Sequence, residues 1–369
     1  LSNILELLDS ILAAMVRENA SDIYLRADSP PYFRIEGELV PVEVTTFTNE
    51  MMEELKNALL KKEDIELFKT RPEGNVTYAK PGLGRFRCNI YLQRGTVACV
   101  MRKIRDDILE FTTLGLPAVL EKFALMRSGL LLVTGPTGSG KSTTLAAMLK
   151  YRNENSTGHI ITMEDPIEFM HTDINCIISQ REVGCDTLSF ADALESAVRQ
   201  APDVLLVGEM RDVESVKAGV YFAETGHFVL STLHSNNTIQ TVERLLQFFP
   251  TAVHEQILAQ LAINLKAVIS QRLIPRKDGT GRVLALEIMV VNARVSELLL
   301  KGELKQIRKE LDQFGPEGMI SFDLSLLEHY KAGNISVDQC MKNSDNPGDM
   351  RLKLKTLPTY IRSSTREEY

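Results

Sequence analysis

The chain has 369 residues, 44% of them hydrophobic and 25% charged, with a net charge of −7 and a pI of about 5.6. That balance predicts an ordinary soluble protein of two domains, or one large domain with a satellite. It argues against a broad basic face that grips nucleic-acid phosphates, so no nucleic-acid partner is expected.

No apolar run approaches the ~20 residues that a bilayer span needs. The five cysteines (Cys88, Cys99, Cys176, Cys185 and Cys340) contain no C-x-x-C pair. A disulfide framework and a four-cysteine zinc site are therefore not expected, and a reducing cytoplasm is the natural compartment.

The opening "LSNILELLDSILAAMVRENA" carries acids within an amphipathic pattern and reads as a helix rather than a signal peptide. Short alternating runs follow, among them "SDIYLRADS", "PYFRIEGELVPV", "GNVTYAK" and "RFRCNIYLQRGTVACVMRKI", with one further helix over roughly 49–68. Residues 1–105 thus predict a small α+β domain. The polar, then turn-rich stretch 106–117 is the expected linker.

From 118 to 291 strands and helices alternate. "GLLLVTG" leads into a helix over 140–153, "HIITMED" into "FADALESAVRQA", "DVLLVGE" into "VESVKAGVYFAETG", and "HFVLSTLH" follows. This alternation predicts an α/β domain with a largely parallel sheet. Residues 292–369 read as a helical carboxy-terminal region.

The segment "GPTGSGKST", residues 135–143, fits G-x-x-x-x-G-K-[ST] between a strand and a helix. Gly135, Pro136, Thr137, Gly138, Ser139 and Gly140 would turn successive N–H groups around phosphate oxygens. Lys141 would reach the β/γ-phosphates, Ser142 would offer its hydroxyl to Mg²⁺, and Thr143 closes the motif. ATP with Mg²⁺ is the expected ligand.

Two other strands end on acids. Gly208-Glu209 stands where a metal-side acid is expected, on a second apolar strand imagined beside the phosphate-loop strand. Asp212 is the better cap for the helix that follows. Glu164 is the expected general base for the attacking water, with Asp165 either catalytic or structural before Pro166.

His227 and His234 bracket one strand, without the spacing of metal ligands. Arg85, Arg87, Arg94 and Arg102 crowd the first domain. There an arginine could stabilise charge developing on a phosphoryl group, or could be idle surface charge.

Taken together, "GPTGSGKSTT", "ITMEDPIEF", "VLLVGEMRD" and "GHFVLSTLHSNN" resemble the Walker A, acidic, Walker B and histidine boxes of the secretion ATPase superfamily. "SDIYLRADSPPYFRIEGELVP" and "AVISQRLIPRKDGTGRVLALEIMV" extend the resemblance to type IV pilus retraction ATPases of the PilT/PilU type. It implies a RecA-like ATPase domain preceded by a PAS-like domain, in a homo-hexameric ring.

The resemblance also implies that Lys141 and Ser142 meet phosphate and Mg²⁺, Glu164 is the catalytic carboxylate and Glu209 the Walker B acid. His227 and His234 would fill the histidine box, and Arg87, Arg94 and Arg102 would approach the nucleotide. The implied partners are an inner-membrane pilus platform protein and a PilT-type paralogue, at the cytoplasmic face of the inner membrane. The pattern "LLLKGE…IRKEL…GMISFD" lies closer to the PilU type than to the PilT type. A substrate kinase, a non-enzymatic nucleotide-switched ring component and a DNA translocase are the competing readings.

Overall fold

The computed structural model describes residues 2–312 and 318–357, so the last part of the region expected to be helical, from 358 on, lies outside the described residues. The chain divides into two compact units, Leu1–Asp106 and Asp107–Tyr369.

In the first unit the alternating runs become strands β1 (Asp22–Arg26), β2 (Tyr32–Ile35), β3 (Glu38–Pro41), β4 (Glu73–Lys80), β5 (Gly84–Gln93) and β6 (Thr96–Lys103). They form one antiparallel sheet in the order β3-β2-β1-β6-β5-β4. The helix Ser2–Arg17 buries Ile4, Leu8, Ile11, Leu12 and Met15, a stripe at three- and four-residue spacing, in the core that Ile23, Phe86, Ile90 and Met101 share.

The helix expected over 49–68 is two helices, Asn49–Leu59 and Lys62–Phe68. Leu60 and Lys61 are extended between them, and Leu60 is buried. Glu63 and Asp64 open the second helix, where acids complement the positive helix end.

The second unit contains β7 (Gly129–Thr134), β8 (Gly158–Glu164), β9 (Cys176–Glu182), β10 (Val204–Val207), β11 (Phe228–Leu233), β12 (Leu265–Pro275) and β13 (Arg282–Val290). The sheet order is β13-β12-β7-β11-β10-β8-β9, parallel throughout except for the antiparallel β12–β13 pair. Strands β7, β10 and β11 are buried along their whole length, as a sheet covered on both faces requires.

Contrary to the expectation from sequence, the Glu209 strand β10 does not lie beside the phosphate-loop strand β7, because β11 is inserted between them. All three strands run the same way, so their carboxyl ends still share one edge of the sheet.

The carboxy-terminal helices do not form a separate body. Phe322, Leu326, Ile335, Cys340, Met350 and Leu354 pack with Ile274, Val283 and Ala285 of the β12–β13 hairpin in a small second core.

Candidate active site

Strand β7 ends at Thr134, and the helix Lys141–Asn155 begins at the lysine of the motif. Between them the loop turns through left-handed residues at Gly135 (φ 145°), Gly138 (φ 77°) and Gly140 (φ 90°). At Gly135 a Cβ would stand 2.5 Å from the Gln271 carbonyl oxygen and 2.6 Å from Ser139 Oγ, so only glycine lets the loop pass.

Lys141 Nζ turns back onto its own loop, donating to the Gly135 and Pro136 carbonyls at 3.0 and 3.2 Å. Burial pulls its pKa down, while the Glu209 and Glu168 charges oppose that shift. Ser139 Oγ is buried with no hydrogen-bond partner among the described residues. A half-buried cation resting on carbonyls and an unpartnered hydroxyl in a ring of glycines are the features of an anion cradle.

Glu164 ends β8 and Glu209 follows β10. The close approach of these two strand ends depends on Gly208. Its amide donates to the Met163 carbonyl at 2.7 Å, and a Cβ there would lie 3.0 Å from that oxygen and 3.3 Å from Glu164 Cα.

Burial raises the Glu164 pKa, against hydrogen bonds from Thr162, Gln180 and the Glu168 backbone that lower it. Glu209 Oε1 lies 3.6 Å from His234 Nε2. Asp165 is bound by Arg211 at 2.7 Å, and the Arg211 guanidinium also stacks over Phe190, 5.1 Å from the ring centre. Asp165 therefore ties the acidic turn after β8 to the turn after β10. Asp212 caps the following helix, accepting from the Ser215 amide at 2.8 Å within a reciprocal capping box.

The structure does not bring every sequence-derived site residue to this edge. His234 follows the carboxyl end of β11 and reaches Glu209, whereas His227 precedes the other end of that strand. Six residues of strand separate the two histidines, about 20 Å. His227 accepts the Gly129 amide on its carbonyl at the start of β7, and its ring packs edge-on against Phe222.

Among the arginines, Arg87 and Arg102 are cross-strand partners on β5 and β6. Arg102 Nε binds the buried Asp22 carboxylate at 2.7 Å. Arg94 sits apart in the β5–β6 turn, left-handed at φ 49° and followed by Gly95, about 20 Å along the strands from Arg87.

Sequence reasoning missed the residues that surround these groups. Strand β9 carries no clear signal in the sequence, and it supplies Gln180 to Glu164. Beside the phosphate loop, a cleft of about 1130 Å³ lies between Pro136–Ser139 and the carboxy-terminal helices. In its lining Asp345 joins Arg272 (2.6 Å) and Arg308 (3.0 Å). The buried Glu287 accepts from both the amide and the hydroxyl of Thr238, each at 2.8 Å. No local motif marks such pairs, because their partners lie dozens of residues apart.

A parallel-rich sheet with a phosphate loop at the end of β7, and two glutamates at the same edge, defines a P-loop ATPase domain of RecA-like architecture. The chain belongs to the family of the Type II/IV secretion system protein, whose model matches residues 1–306.

It is 40% identical to the type IV pilus ATPase PilU of Pseudomonas aeruginosa over 94% of this chain and 91% of that protein. It is 37% identical to the pilus retraction ATPase PilT of the same organism, over 91% and 98% of the two chains. The crystal structure of the pilus retraction motor PilT with bound ADP superposes with a TM-score of 0.86 at 38% identity, covering 93% of this chain and 98% of that one.

Proposed function

We propose that this chain is an ATP-hydrolysing motor that drives or assists type IV pilus retraction, with the PilU type as the nearer model. The observation that carries the reading is the shared sheet edge. Lys141, Glu164 and Glu209 come from three separate strand ends, and parallel strand direction brings all three to one place.

In this reading Lys141 leaves its loop carbonyls for the β/γ-phosphate oxygens, and the loop amides hold the remaining charge. Water attacks the γ-phosphorus, its proton passes to Glu164, and the bridging P–O bond breaks with its electron pair going to ADP. An oxygen-only pair of one hydroxyl and one carboxylate beside a phosphate site suits Mg²⁺, so Ser142 and Glu209 would hold it. When bound, the ion supplies neutralisation of phosphate charge. His234, against Glu209, would keep that carboxylate turned toward the loop.

The assembly is proposed to be a homo-hexameric ring working on a platform protein of the inner membrane, beside a PilT-type paralogue. Its place would be the cytoplasmic face of that membrane. Among the described residues no helix is long and apolar enough to cross a bilayer.

Phosphate release from purified chain with Mg²⁺ and ATP, and no added acceptor, tests the enzymatic step. Release is expected, with a rate that rises with pH. Because the Glu164 pKa is raised from the ordinary 4.5, the ascending limb should lie above that value, the base being inactive while protonated. Release that required an added acceptor would favour a kinase. A stable complex with ATP and no release would favour a nucleotide-switched ring component.

A further inference from the structure

We infer that Gln180 and Thr162 are positioning residues that pin one oxygen of the Glu164 carboxylate and leave the other to take the proton from water. The inference rests on reading Glu164 as the general base.

Thr162 Oγ1 donates to Glu164 Oε1 at 2.6 Å, and Gln180 Nε2 donates to the same oxygen at 3.3 Å. Neither side chain donates to Oε2. Thr162 lies two residues before Glu164 on β8, so both point to one face of the sheet. Gln180 stands directly opposite Thr162 on the neighbouring strand β9. Two strands therefore deliver donors to a single carboxylate oxygen.

The Gln180 amide is locked in this orientation. Its nitrogen also donates to the Phe169 carbonyl at 2.8 Å, while its oxygen accepts the His171 amide at 2.9 Å. Turning the amide over would set oxygen against two oxygens and N–H against N–H, losing every bond it makes. The amide hydrogen therefore stays on Glu164, and the segment after β8 stays on β9.

Both donors favour the ionised carboxylate, which burial disfavours. Among the described residues the charge that acts on it is Glu168, whose carboxylate opposes ionisation while its backbone amide assists. The Glu209 and Glu168 charges also act on Lys141, holding its proton. Two neutral side chains thus fix the orientation of the base and oppose the effect of burial on its proton affinity.

The test uses the full chain with Thr162→Val, which keeps shape and removes the hydroxyl, with Gln180→Met, and with both. Affinity for a fluorescent ADP analogue and KM for ATP should stay within about twofold. The kcat should fall by about tenfold for each change and further for the pair, and the ascending limb of the pH profile should move to higher pH. Thr162→Ser should restore kcat and the limb.

Wild-type kcat with an unmoved limb in both single variants would overturn the inference. So would a loss of kcat matched by a loss of ADP binding, which is the mark of a structural role. Glu164→Gln separates the two levels. If it is inactive while Thr162→Val and Gln180→Met are unaffected, only the positioning fails. If it hydrolyses at the wild-type rate, the base reading itself fails and the inference goes with it.

Discussion

Glu164→Gln is expected to keep nucleotide binding and to lose hydrolysis by about 10²- to 10⁴-fold, the range that a positioned general base supplies. The change is nearly isosteric, so the hydrogen bonds from Thr162 and Gln180 retain an acceptor and the turn after β8 keeps its shape. What disappears is the group proposed to accept the proton of water. Single-turnover phosphate release, with binding measured on the same sample by a fluorescent nucleotide, separates chemistry from affinity. Near wild-type turnover in this variant would move the base to another carboxylate. Glu168, whose charge already reaches both Glu164 and Lys141, would be the first to examine.

The largest effect on stability is expected at Glu287. This side chain is fully buried on β13, accepts two hydrogen bonds from Thr238 and one from the Phe322 amide at 3.4 Å, and lies 3.7 Å from Arg308. It fastens the starts of helices Thr238–Gln247 and Phe322–Lys331 to the edge of the sheet.

Glu287→Ala would leave the buried Thr238 and Phe322 donors without their acceptor and Arg308 with Asp345 alone, which costs about 3–5 kcal/mol. Glu287→Gln keeps an acceptor for Thr238 and should cost less. Denaturation of the second unit reads the total. Hydrogen exchange at the Thr238 and Phe322 amides, expected to quicken together, reads the place. An alanine variant within about 1 kcal/mol of wild type, with both amides still protected, would mean that the cluster is dispensable.

The two predictions differ in how far the sequence could foresee them. The phosphate loop, the acids at 164 and 209 and the cap at Asp212 were legible, because each is a local pattern with a local physical reason. Glycines permit a tight turn, an apolar run makes a buried strand, and an Asp before a helix satisfies a free amide.

Strand β9 was not legible. "CIISQRE" has Ile177 exposed at the sheet edge and no clean alternation, so nothing in it announced that Gln180 would reach Glu164. The insertion of β11 between β7 and β10 was hidden for a related reason. Strand order in a parallel sheet is decided by crossover packing over distances that no motif spans. The two histidines looked equivalent because they bracket one strand, yet the length of that strand places only His234 beside Glu209. The buried acid Glu287 sat inside the apolar run "LALEIMVV", where a carboxylate reads as an interruption rather than as the clasp of two helices.

We propose that hydrolysis at this sheet edge retracts pili. This is tested most directly by live imaging of labelled type IV pili in cells whose own copy of this gene is deleted, complemented with wild type or with Glu164→Gln, with and without a PilT-type paralogue. Wild type is expected to restore retraction speed or frequency in at least one of the two backgrounds, and Glu164→Gln in neither. Retraction indistinguishable among the deletion, the wild type and the Glu164→Gln variant in both backgrounds would contradict it.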